Sequence, residues 1–150
     1  MNTLYKISSF ITIVFLALMA SCKKDQTVIS AVPEIAFLTV APTTVIEFQD
    51  SLVFTISYND GDGDLGENSA DVKNLFLTDN RIGITYTYRI RQLAPDGANI
   101  AIQGNLNTVL KNIAVTDSSA QQQATFSIYV VDRAGNKSNT VNSPVITISK

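Results

Sequence analysis

The sequence predicts an all-β fold, a sandwich of short strands, and three observations carry that expectation. Short stretches alternate apolar and polar side chains, the period of a half-buried strand. Clusters of Gly, Pro, Asn and Asp punctuate them. Beyond residue 21 no stretch keeps apolar residues at helical spacing.

Taken in order, residues 34–40 form a first strand, Pro42 interrupts it and residues 43–48 resume it. A proline suits an edge strand, and a break there suits a strand that changes sheets. Residues 51–59 have the clearest period of two, with Leu52, Phe54, Ile56 and Tyr58 on one face and Ser51, Thr55, Ser57 and Asn59 on the other. Residues 72–78 make the next strand, ended by a turn at Asp79 and Asn80. In residues 84–93, Ile84, Tyr86, Tyr88 and Ile90 face one way and Thr85, Thr87, Arg89 and Arg91 the other. A turn at 94–99 follows. Ile100, Ile102, Leu106 and Leu110 then keep even spacing, with a bulge expected at Gly104 and a continuation after a kink at 113–115. Residues 117–123 are too polar to bury and read as a loop. Phe126, Ile128 and Val130 mark a strand ending at Asp132, Gly135 and Asn136 supply a tight hairpin, and residues 141–148 return with Pro144 at an edge or bulge. About seven strands in roughly 115 residues fit an immunoglobulin-like antiparallel β-sandwich.

The chain has 150 residues, 45% hydrophobic and 16% charged, which suits one globular domain and a processing segment. Lys6, the apolar run 7–19 and then Ala20, Ser21 and Cys22 have the shape of a secretory signal, with an apolar run too short to span a membrane. The expected division is a signal peptide at 1–21, a tether at 22–32 and the domain at 33–150. Cys22 is the single cysteine and has no disulfide partner in the chain. The formal charge is −2, and apart from Lys23 and Lys24 the basic residues of the mature chain are scattered, so nothing invites nucleic acid.

Two stretches carry resemblances. The segment L-M-A-S-C-K-K-D, ending at Asp25, resembles a bacterial lipoprotein signal, which implies that Cys22 is lipidated and begins the mature chain. D-R-A-G-N-K-S-N, from Asp132, resembles a turn near the end of many bacterial immunoglobulin-like and fibronectin-type domains. Together with F-T-I-S-Y-N-D-G-D-G-D-L-G, from Phe54, these motifs resemble single-domain lipoproteins of Bacteroidetes. That resemblance implies a lipid-anchored place in the cell envelope at the outer membrane, on its periplasmic or surface face, and no particular activity.

The stretch Y-N-D-G-D-G-D-L-G-E, from Tyr58, breaks the strand pattern and collects acids. Asp60, Asp62 and Asp64 alternate with Gly61 and Gly63, Glu67 and Asp71 follow, and no Lys or Arg lies between residues 60 and 71. Like charges this close repel, and a hard cation bound by oxygen relieves the repulsion. An immunoglobulin-like order brings Asp132 to the same end of the sandwich. The candidate ligands of a calcium ion are therefore Asp60, Asp62, Asp64, Glu67, Asp71 and Asp132. The loop also resembles the start of an EF-hand, but Leu65 stands where that motif has glycine, Asp71 where it has glutamate, and the flanks read as strands. The plain alternative is an Asp/Gly turn whose carboxylates bond local amides and stay solvated.

Enzymatic readings find little support. The chain has no histidine and its cysteine belongs to the anchor, so no Ser/His or Cys/His nucleophile can be built, and zinc lacks its usual ligands. Tyr86 and Tyr88 share a face: as core residues they need no function, and exposed they would stack on sugars. The expectation is a lipid-anchored binding or structural module stabilised by calcium. The alternative is a carbohydrate-binding accessory lipoprotein of a glycan-uptake system, with a protein or glycan partner in either case, and an enzyme of unknown class stands well behind both.

Overall fold

The computed structural model describes residues 29–150, so the expected signal peptide at 1–21, Cys22 and the tether as far as residue 28 lie outside the described residues. Ten strands run β1 (Glu34–Ala41), β2 (Thr44–Ile46), β3 (Leu52–Asp60), β4 (Leu75–Asp79), β5 (Ile84–Tyr88), β6 (Ile102–Leu110), β7 (Gln121–Ala124), β8 (Phe126–Val130), β9 (Val141–Asn142) and β10 (Ile146–Ser149). The described residues form no helix. One sheet has the order β1-β3-β6, a second β5-β4-β8-β9 and a third β2-β10-β7. All pairings are antiparallel except β2 with β10.

Three breaks explain the count of ten where the sequence suggested about seven. β1 and β2 are one run interrupted at Pro42, whose peptide bond to Ala41 is cis. The first part pairs with β3 and the second with β10, so the strand does change sheets where the proline removes a ladder donor. Thr125 separates β7 from β8, and residues 143–145, with Pro144, separate β9 from β10. β7 to β8 thus runs from the third sheet into the second, and β9 to β10 from the second into the third.

The layer of β1, β3 and β6 packs on that of β4, β5, β8 and β9. β3 alternates as the sequence predicts: Leu52, Phe54, Ile56, Tyr58 and Asp60 are buried, with exposed or half-buried residues between them. Phe54 meets Phe126 of β8 edge to face, ring centroids 5.2 Å apart at 66°. Leu75, Leu77, Ile128 and Val130 complete the facing surface, and Val45, Ala124, Ile146 and Ile148 continue it under the third sheet. At the layer edge Asn139 acts as a strand partner in miniature, its Oδ1 accepting from Ile35 N and its Nδ2 donating to Ile35 O, both at 2.8 Å.

Four expectations change. Residues 121–124 form strand β7 rather than loop, because only the backbone is needed there: Gln121–Ala124 pairs with β10 while Gln121 and Gln123 stay in water. Gly104 makes no bulge, since the β3–β6 register runs unbroken from Leu52↔Leu110 to Asp60↔Ile102. Glycine is there to make room. A Cβ at Gly104 would stand 2.9 Å from Tyr58 Oη and 3.1 Å from its Cε1, so the tyrosine ring occupies the space. Gly104→Ala is expected to cost about 1–3 kcal/mol, read as a lower urea midpoint at unchanged slope. The strand expected at 84–93 ends at Tyr88, and residues 113–115 form no strand, although Ile90 and Ile113 are both buried.

Candidate metal centre

β3 ends by burying a charge. Asp60 continues the inward row of Phe54, Ile56 and Tyr58 and is fully buried. The chain then turns through Gly61–Asp64 and returns to the core at Leu65, also fully buried. Leu65 N–H donates to Asp60 Oδ2 at 2.8 Å, which closes the loop on its first carboxylate. Leu65, at the position where an EF-hand needs glycine, is therefore the plug that fastens the loop to the sandwich.

Glycine lets the loop lie flush against its neighbours. Gly63 and Gly66 have φ of 77° and 95°, which favour glycine. A Cβ would stand 2.4 Å from Ile100 O at the first and 2.3 Å from Arg91 O at the second. Gly61 N–H donates to Ser30 O at 2.8 Å, so the incoming chain crosses the loop directly.

One ligand oxygen from each of Asp60, Asp62 and Asp64 lies within 4.8 Å of the others, and this group could hold a metal ion. Asp60 Oδ1, Asp62 Oδ1 and Asp64 Oδ1 are each buried and accept no hydrogen bond among the described residues. Leaving a buried acceptor unmet costs on the order of 1–3 kcal/mol, and here three with like charge converge. A solvated Asp/Gly turn has no such feature. Burial raises the Asp60 pKa from the ordinary 3.8 to about 6, with the Asp62 and Asp64 carboxyls adding to the effect against the opposing Leu65 N–H. Burial likewise raises Asp64, followed by the negative charge of Asp132, while Ala134 N–H and Arg133 act in the other direction. Tyr58, the preceding inward residue, is raised by burial and by Asp60.

The turn after β8 braces the loop. Arg133 N–H donates to Asp64 O at 3.3 Å and Ala134 N–H to Asp64 Oδ2 at 3.0 Å. The Arg133 guanidinium reaches Gly66 O at 2.9 Å and Gly63 O at 3.5 Å. Asp132 is buried close enough to Asp64 for its charge to act there, but its carboxylate serves the turn: Oδ1 accepts from Asn136 N at 2.7 Å and Oδ2 from Asn136 Nδ2 at 2.9 Å. Glu67 Oε1 accepts from Asn68 N and Ser69 N, and Asp71 is exposed, so neither joins the three-carboxylate group. Arg133 carries no local signal in the sequence beyond its place after Asp132, since the carbonyls its guanidinium meets lie about seventy residues away.

Tyr86 and Tyr88 sit opposite Leu77 and Leu75 on β4 and pack, half-buried, on the core. Burial raises the Tyr88 pKa, with Tyr86 contributing. The aromatic pair on the outer face of this sheet is instead Phe76 and Tyr129, stacked at 4.7 Å and 9°, with Lys137 Nζ 3.8 Å from the Tyr129 ring centroid. Phe76 stacks on the tyrosine ring and the Lys137 ammonium lies over it.

Comparison with protein-family models, with curated proteins and with solved structures finds no match to this chain.

Proposed function

We propose that this chain is a lipid-anchored binding or structural module of a bacterial cell envelope, an immunoglobulin-like sandwich whose acidic loop binds a calcium ion. The observation that carries the metal part is the set of three buried carboxylate oxygens with no hydrogen-bond donor among the described residues. A hard divalent cation supplies what they lack. Calcium suits oxygen ligands in irregular geometry, whereas magnesium demands a near-ideal octahedron and sheds water reluctantly. Water and loop carbonyls complete the shell. The ion ties the end of β3 to the turn after β8, because Asp64 already holds Arg133 and Ala134. An immunoglobulin-like order fits the pairing of β3 with β1 and β6 in one layer and of β4 with β5 and β8 in the other.

The anchor rests on Cys22 and the signal pattern before it. Mass spectrometry of the envelope fraction should find residues 1–21 removed and Cys22 acylated, and Cys22→Ala should release the protein from the membrane. An intact N-terminus on a membrane-bound protein would end this part of the reading. The glycan-binding alternative calls for Tyr86 and Tyr88 to be exposed, and both are half-buried against the core.

A further inference from the structure

The end of the sandwich that carries the carboxylates also carries apolar side chains the core does not use. Ile29, Val32, Leu93 and Ile100 are exposed, from 36% at Leu93 to 53% at Ile100. Their backbones are fixed around the acidic loop. The position of a Gly61 Cβ lies 2.2 Å from Ile29 O, and that of a Gly63 Cβ lies 2.4 Å from Ile100 O. Leu93 sits between Gln92, whose Cα is 3.1 Å from a Gly66 Cβ position, and Ala94, whose Cβ is 3.5 Å from that of Gly63. Val32 N–H donates to Ser30 Oγ, which holds it to the segment crossing the loop. Arg91, between these residues in the chain, is exposed.

We propose that this rim of Ile29, Val32, Leu93 and Ile100 rests on the membrane surface that carries the lipid anchor, with Arg91 among the headgroup phosphates. The inference depends on the lipid-anchor reading of Cys22. Seven residue steps separate Cys22 from Ile29, a reach of at most about 25 Å for extended chain. The chain enters the described domain at the rim itself, so a short tether holds this end nearest the bilayer. Nine-residue β3 places the opposite end about 30 Å further out. The apolar side chains gain by leaving water, and the guanidinium by meeting phosphate.

The test uses the full lipidated protein in vesicles of phosphatidylethanolamine and phosphatidylglycerol. With Cys22 consumed by its lipid, Leu93→Cys, Ile100→Cys or Gln49→Cys each provides one free thiol for a fluorophore, Gln49 being exposed before β3 at the far end. Flotation with the vesicles is scored first: failure to float overturns the anchor reading, and this inference with it. In floating protein, a nitroxide-bearing lipid should quench labels at 93 and 100 severalfold more strongly than the label at 49. Labels at 93 and 100 that respond like the one at 49, or that are shielded from both lipid and aqueous quenchers as by a second protein, would overturn membrane contact while leaving the anchor intact.

Discussion

Calcium added to chelator-treated protein is expected to raise its melting temperature by roughly 10 °C at a hundredfold excess over Kd. A ligand bound by the native state alone contributes RT ln(1 + [L]/Kd), about 2.7 kcal/mol at that excess, and a domain of this size shifts by about 3–5 °C per kcal/mol. Magnesium should do less. The sharper result is a reversal of sign. Asp60→Asn keeps an oxygen for Leu65 N–H and puts an amide N–H₂ where Oδ1 now faces Asp62 Oδ1 and Asp64 Oδ1. Metal-free protein should therefore become more stable by a few degrees, while the calcium response is lost. A variant less stable than its parent in chelator would mean that the Asp60 charge already has a partner.

The same physics sets the pH dependence of the metal-free protein. Asp60 titrates near 6 when folded against an ordinary 3.8, so between these values the folded state holds the extra proton and the unfolded state does not. Stability in chelator should then fall as pH rises through that window and level off above it. With calcium present the carboxylates are wanted ionised, and the metal-dependent gain should be largest above pH 6. Melting curves from pH 4 to 7, with and without calcium, should diverge as pH increases.

Among single substitutions, Phe54→Ala is expected to cost the most, about 3–5 kcal/mol. Phe54 is 1% exposed, is paired on both sides within its sheet and meets Phe126 across the layers, so truncation opens a cavity that neither sheet can close without giving up its own pairing. The urea midpoint should fall sharply with the slope unchanged, and retention of the wild-type midpoint would show that the layers do not meet at this ring. Six residues of β3 carry the chain from Phe54 to Asp60, about 20 Å along the strand, so the gain from calcium should survive the substitution.

What could be read in advance followed from how local each signal is. β3 was legible because burial on one face and solvent on the other write a period of two into Leu52, Phe54, Ile56 and Tyr58. Tyr86 and Tyr88 belong to the same kind of signal, and their inward face was the plainer of the two readings. β7 left no trace, since Gln121 and Gln123 contribute backbone to β10 and keep their side chains in water. Gly104 gave a signal open to two readings, a bulge or a space, and only the ring of Tyr58 across the ladder decides between them. In the candidate centre, Asp60, Asp62 and Asp64 were legible because three adjacent alternations must share one loop. Glu67 and Asp71 were close in sequence but are directed elsewhere by the turn that Glu67 itself holds. The contributions of Ser30, Arg91, Ile100 and Arg133 come from segments far apart in the chain, and no local pattern announces a carbonyl that happens to face a glycine.

The most direct measurement is a calorimetric titration of calcium into chelator-treated protein, wild type beside a variant carrying Asp62→Asn and Asp64→Asn. The account predicts one ion bound per chain in the wild type and none in the variant, with the variant still folded because Leu65, Phe54 and Phe126 remain buried. Absence of binding in the wild type at millimolar calcium, or binding that survives in the folded variant, would contradict it.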